Sequence, residues 1–176
     1  MMIVRILTAL SLALLATACA PAPEAGETRP APNVRKACLD AIYQLNSYRV
    51  HQGLQPLHEH TGLHSLCLEH SMWLRQKRGT SMTHGSNVSH SGSQYRERVA
   101  RIQHNMEAWG ENVAYISNTP DNIGRHLIVM WIGSPPHHEA MLGDWTHVGV
   151  GITADEDGAI FAVMNFGRYN PDSAGN

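Results

Sequence analysis

The chain has 176 residues, with 13 Lys and Arg against 15 Asp and Glu, a formal charge of −2. That near balance argues against a nucleic-acid partner or a polybasic membrane patch, and the length allows one domain with a single core. Twelve histidines set its response to mild acid rather than its ligand.

Residues 1–18 read as an export signal: Arg5 is the positive start, Ile6 to Leu15 the short apolar core, and Ala16-Thr17-Ala18 the small-residue exit. The apolar run is too short to cross a bilayer. Cys19 follows, and Leu15-Ala16-Thr17-Ala18-Cys19 resembles a bacterial lipobox. That resemblance implies a lipidated Cys19 and an anchor to the cell envelope, at the outer membrane; an ordinary cleaved signal is the alternative. Residues 19–33, with four prolines and no apolar period, form a tether.

Val34, Cys38, Ala41, Ile42 and Leu45 recur at three and four, which predicts an amphipathic helix from Val34 to His51 capped by Asn33 and ended by Gly53. Leu63, Leu66, Cys67, His70 and Leu74 predict a second, opened by Thr61 or Gly62 and closed by Gly79. In an exported protein Cys38 and Cys67 are an even pair. They form either a disulfide joining the two helices, worth roughly 3 kcal/mol, or two buried thiols.

Residues 80–92 have loop composition. Tyr95 to Met106 reads as an irregular helix and Asn112 to Ser117 as a strand. Thr119-Pro120-Asp121 predicts a helix start; that helix carries Leu127 and Trp131 inward and stops at Ser134, before Pro135-Pro136. His147 to Thr153 and Ala159 to Phe166 predict a hairpin turning at Asp157-Gly158. Residues 170–176 form a tail. Helices before and between strands predict an α+β domain over residues 34–169 with a mostly antiparallel sheet.

The matching stretches, in order, are Leu45-Asn46-Ser47-Tyr48-Arg49, Met82-Thr83-His84, Gly110-Glu111-Asn112-Val113-Ala114, Trp131 through His137, Val148-Gly149-Val150-Gly151 and Asn165-Phe166-Gly167. Together they resemble the CAP superfamily of cysteine-rich secretory, antigen 5 and pathogenesis-related proteins, in its short bacterial form. The resemblance implies a three-layer α/β/α sandwich and a cavity lined by two histidines and two acids. Residue by residue, it implies His84, His137 and Glu111. The second acid falls on Ser134, so no fourth member is carried over.

Two imidazoles and a carboxylate suit Zn2+ or another divalent cation, with His84 and His137 as the ligands that the resemblance implies. The alternative is a set of side chains that bond to each other and pin the loops. For a hydrolase, Glu111 is the candidate base on a metal-bound water. Neither a His-Glu-x-x-His helix nor a Gly-x-Ser-x-Gly elbow occurs. The sequence therefore favours a lipid-anchored binding or interaction module over an enzyme. The alternatives are a metal-dependent hydrolase of envelope peptides or glycans and a lipid or sterol carrier. His58, His60 and His64 are spaced closely enough to bind a metal adventitiously but read as an exposed loop, His70 reads as a core residue, and His90, His104, His126 and His147 read as surface chemistry.

Overall fold

The computed structural model describes residues 31–78 and 89–171. The leader, Cys19 and His84 lie outside the described residues.

The first helix, α1 (Val34–His51), has the bounds that its apolar spacing predicts, and the Asn33 side chain accepts from the Lys36 N–H at 2.9 Å. Its stripe of Ala37, Cys38, Ala41, Ile42 and Leu45 is buried. Arg49 continues the stripe and is buried as well. It donates to the main-chain oxygens of Gln55, Met141 and Gly143, so its charge is spent holding two turns in place. A two-residue strand, β1 (His58–Glu59), leads into α2 (Thr61–Gln76), whose N-cap is His60. Then come α3 (Ser93–Gln103), β2 (Met106–Ile116), α4 (Ile123–Ile132), α5 (Pro135–Met141), β3 (His147–Ala154) and β4 (Ile160–Tyr169).

The sheet has the order β1-β3-β4-β2, with β1 parallel to β3 and the other pairs antiparallel. Alternation along β3 sorts the layers. Val148, Val150 and Ile152 join the large core with α1 and α4. Gly149 and Gly151 face α2, and a Cβ on either would stand 2.3 Å from that helix's backbone. The Val-Gly-Val-Gly run is thus a packing code: valines fill one side, and bare backbone lets α2 lie directly on the other. Helix α3 packs beside α2 through Val99 and Ala100 against Leu63, Leu66 and Met106. The result is an α+β three-layer sandwich.

These layers correct the disulfide expectation. Cys38 and Cys67 are both free and buried. Cys38 packs in the α1 core and Cys67 in the α2 core, with the sheet between them. Burial raises both thiol pKa values, Cys38 to about 11, and the Cys67 thiol donates to the Gly149 carbonyl at 3.2 Å. Two apolar stripes bearing cysteines face one sheet, not each other.

Several boundaries differ from expectation, and α3 runs from Ser93 to Gln103 rather than from Tyr95 to Met106. Strand β2 begins at Met106 rather than Asn112. Thr119 does not cap α4: its hydroxyl donates to the Gly158 carbonyl at 2.7 Å, while the Asn122 side chain accepts from the Arg125 N–H. Pro135 does more than end the preceding helix, since it opens α5 from the first helical position, where proline is tolerated.

Candidate functional site

Glu111 sits on β2, the outer strand, opposite Asn165 of β4. Its side chain is only 2% exposed. A carboxylate taken out of water needs matched charge and hydrogen bonds, and α3 supplies both. The Arg96 guanidinium grips it in a fork, Nε to Oε2 and Nη2 to Oε1, both at 2.7 Å. A third bond comes from His90, whose Nδ1 lies 2.9 Å from Oε1. Burial alone raises the Glu111 pKa, but the bonds from His90 and Arg96 outweigh it and hold the carboxyl below its ordinary range.

An ionised carboxylate only accepts, so His90 donates from Nδ1 and is left with a lone pair on Nε2. This is the arrangement in which a carboxylate orients a histidine for a metal or a ligand. The segment before His90 is fixed by His70, which is buried on α2, stacks on Trp73 at 5.5 Å and donates to the Ser89 carbonyl at 2.9 Å. Burial lowers the His70 pKa, and the Arg96 charge lowers it further, so it stays a neutral prop.

His137 approaches from α5. Its main-chain oxygen accepts from the Asn112 side chain at 3.0 Å, which ties α5 to the strand residue next to Glu111. Its Nδ1 lies 2.8 Å from the Ser134 hydroxyl. The side chain at position 134, where the resemblance implies an acid, therefore orients the same histidine as a neutral partner. Burial lowers the His137 pKa, with a further push from His90, which brings these two rings into one electrostatic environment.

The described site thus joins Glu111, Arg96 and His90 by direct bonds, with His137 tied through Asn112 to the next position on β2. His84, which the resemblance implies for this cavity, lies outside the described residues. Among the described residues no three His, Cys, Asp or Glu side chains form a ready metal cage. The donor set is two imidazole Nε2 positions, to which water would add the rest of a shell, which suits zinc or copper at modest affinity. Glu111 serves as the support of His90, since both of its oxygens are already engaged.

Sequence reasoning missed Arg96 and His90. The signal for Arg96 was available: a buried acid requires a cation, and α3 is the arginine-bearing helix beside it. His90 carried no such signal, because it stands in a loop whose conformation is set by Gly92 at φ +75° and by the His70 prop.

A model of the cysteine-rich secretory protein family matches residues 42–166. Among solved structures, an outer surface protein from Borrelia burgdorferi superposes with a TM-score of 0.64 at 17% identity, covering 79% of this chain and 97% of its own. An extracellular protein containing an SCP domain from Bacillus anthracis gives 0.58 at 18%, covering 76% and 41%. A cysteine-rich secretory protein from Staphylococcus aureus gives 0.55 at 16%, covering 80% and 41%. This chain therefore spans less than half the length of the latter two, and at these identities the likeness is one of fold. Among curated proteins none matches significantly.

Proposed function

This chain belongs to the cysteine-rich secretory protein (CAP) family, and we propose that it is an exported binding or interaction module that holds a divalent cation between His90 and His137. The observation that carries the reading is the Glu111–His90 bond, which fixes the His90 tautomer and turns its free Nε2 away from the carboxylate. His137 has its Nδ1 occupied by Ser134 in the same way, and a serine oxygen accepts as readily as it donates. A bound zinc would supply a Lewis-acidic contact point for a partner's carboxylate or carbonyl. The protein's share is to present two oriented imidazoles over the β2 edge.

Glu111 supports the module reading over a metal-dependent hydrolase of envelope peptides or glycans. A general base works best with a pKa near the working pH, and this carboxyl is held below its ordinary range in an arginine fork. A lipid or sterol carrier has one observation in its favour, a cleft of about 450 Å³ between α1 and α2, walled by residues such as Cys38, Leu39 and Leu68; lipid analysis of the purified protein tests it. Export rests on the leader at residues 1–18 and, for the anchor, on Cys19; the neighbours from Borrelia and Bacillus are described as outer-surface and extracellular proteins. Palmitate labelling lost in Cys19→Ser tests the anchor.

Calorimetric titration with zinc tests the site. His90→Ala and His137→Ala should each weaken binding at least tenfold, and Glu111→Gln by roughly 10- to 100-fold through lost orientation of His90. Unchanged affinity in the His90→Ala, His137→Ala double variant would sink the assignment. Protons compete for imidazole, so binding should fall in acid. Because the His137 pKa is lowered, its contribution should persist below the pH at which an ordinary histidine charges.

A further inference from the structure

Where β1, β2 and β3 begin and β4 ends, four imidazoles meet in a row across the end of the sheet. Centre to centre, His58 lies 5.8 Å from His147, His147 5.6 Å from His60, and His60 5.4 Å from His104. They come from β1, β3, the residue capping α2 and the residue ending α3. Tyr169 of β4 flanks the row, 5.6 Å from His147. Gly62 makes room for it, since a Cβ there would stand 2.4 Å from the His104 ring.

His60 has a structural duty that depends on its protonation state. Its Nδ1 accepts from the Leu63 N–H at 3.3 Å, which caps α2. A protonated imidazole has no lone pair and cannot accept. It would also put a cation at the positive end of the helix dipole and against the neighbouring imidazoles of His104 and His147. Few groups could offset such charge. Glu59 is the carboxylate on β1, while Arg35 across the cleft and His64 one turn into α2 add no negative charge. Glu107 and Asp144, on the Tyr169 side, are already paired with Arg168.

We propose that this row is an acid-operated latch: when two or more of its imidazoles take up protons, β1 and the first turn of α2 part from β3 and His104, opening the cleft between α1 and α2. Glu59, His60, Thr61 and His64 form one end of that cleft. The rest of α2 stays down. Gly151 seats it at Cys67, the Cys67 thiol bonds the Gly149 carbonyl, and the Thr153 hydroxyl donates to the Ser71 carbonyl at 3.0 Å.

The sign agrees. Burial lowers the His60 pKa and His104 lowers it further; burial lowers that of His147, followed by His60 and His58. A folded-state pKa below the unfolded one means that the closed form is fully stabilised above about pH 6.5, the ordinary histidine value. It loses that stability as pH falls through the lowered values. None of these residues takes part in the Glu111 site, so either reading can fail alone.

Amide exchange at pH 7.5 and 5.0, corrected for intrinsic rates, tests the latch on the full chain. Protection at Leu63 and His64 should fall at least tenfold in acid, while that of β4 holds. Labelling with 4,4′-dithiodipyridine, which reacts in acid, followed by peptide mass spectrometry, should show Cys38 at the cleft becoming reactive several-fold faster and Cys67 staying slow. His60→Asn keeps a capping side chain but cannot take up a proton, and with His147→Asn should abolish both changes. Loss of protection everywhere at once, or an acid response equal in the double variant, overturns the proposal.

Discussion

The two histidine groups, one beside Glu111 on β2 and one across the end of the sheet where β3 begins, are held by opposite means. At the β2 edge, His90 leans on a buried carboxylate whose charge Arg96 has already matched. Across the end of the sheet, His60 and His147 each spend one nitrogen on a neutral partner, the Leu63 N–H and the Thr146 hydroxyl, and otherwise pack on imidazoles, with Glu59 as the nearby acid. A histidine anchored to a carboxylate has a defined tautomer and a defined free nitrogen, which is what a ligand needs. A histidine anchored to histidines is stable only while its neighbours are neutral. The same residue type therefore builds a fixed site in one group and a labile joint in the other.

Arg96→Ala is the sharpest way to break the first arrangement. It strands Glu111 with its side chain 2% exposed and without its fork, and removing one partner of a buried pair costs about 3 to 5 kcal/mol. Denaturant unfolding at neutral pH should show that loss, with His90 released as a consequence. The pH dependence should change with it. In the parent, Glu111 has a folded pKa below its unfolded value, so its stabilisation is complete above about 4.5 and is lost as pH falls through the lowered value. In Arg96→Ala burial dominates, the carboxyl pKa rises, and that acid-side loss should disappear or reverse. A wild-type pH profile in the variant would show that the fork does not control Glu111.

Next in size is the cap in the other group. His60→Ala removes the acceptor for the Leu63 N–H and should cost about 1 kcal/mol at pH 7.5, whereas His60→Asn should cost almost nothing there and gain relative to the parent at pH 5. Thermal unfolding at the two pH values reads both. If Ala and Asn behaved alike, His60 would be a surface ring with no capping duty.

The contrast also explains what was legible in the sequence. Helix α1 and the closing hairpin were readable because their information is local: an apolar period, a capping Asn33, and Gly158 at φ +85° in the turn. The three layers could be anticipated from the order of elements and the CAP resemblance. The side on which each helix docks was not, and that hid the separation of Cys38 from Cys67; it is decided by Gly149 and Gly151, whose missing side chains look like flexibility in a sequence and act as a seat in the fold. At the site, Glu111 and His137 stand in recognisable motifs. Arg96 could have been sought as the cation a buried Glu111 requires, whereas His90 becomes functional only because its loop folds back beside β2, which no local pattern announces. The histidine row is the extreme case, since its members are drawn from positions 58 to 147 and none has a signal of its own.

Gly62→Ala should have the smallest effect on stability and still separates the two kinds of anchor. A Cβ at 62 would meet the His104 ring at 2.4 Å, and a side chain half-exposed at a helix end can swing away. Replacing glycine with alanine in a helix favours the fold by up to about 1 kcal/mol, so the lost ring packing and the gained propensity should nearly cancel in unfolding experiments. The titration of His60 should not cancel. Its pKa is lowered first by burial and then by the His104 charge. Moving His104 outward removes the second cause and lets more water reach the ring, so the His60 pKa should rise toward the ordinary histidine value, read by NMR titration of its ring protons. The joint would then open at higher pH in a protein of unchanged stability, while zinc binding at the β2 edge stays as it was. A His60 pKa that does not move would mean that the rings touch without sensing each other's charge, and the difference between the two groups would reduce to burial alone.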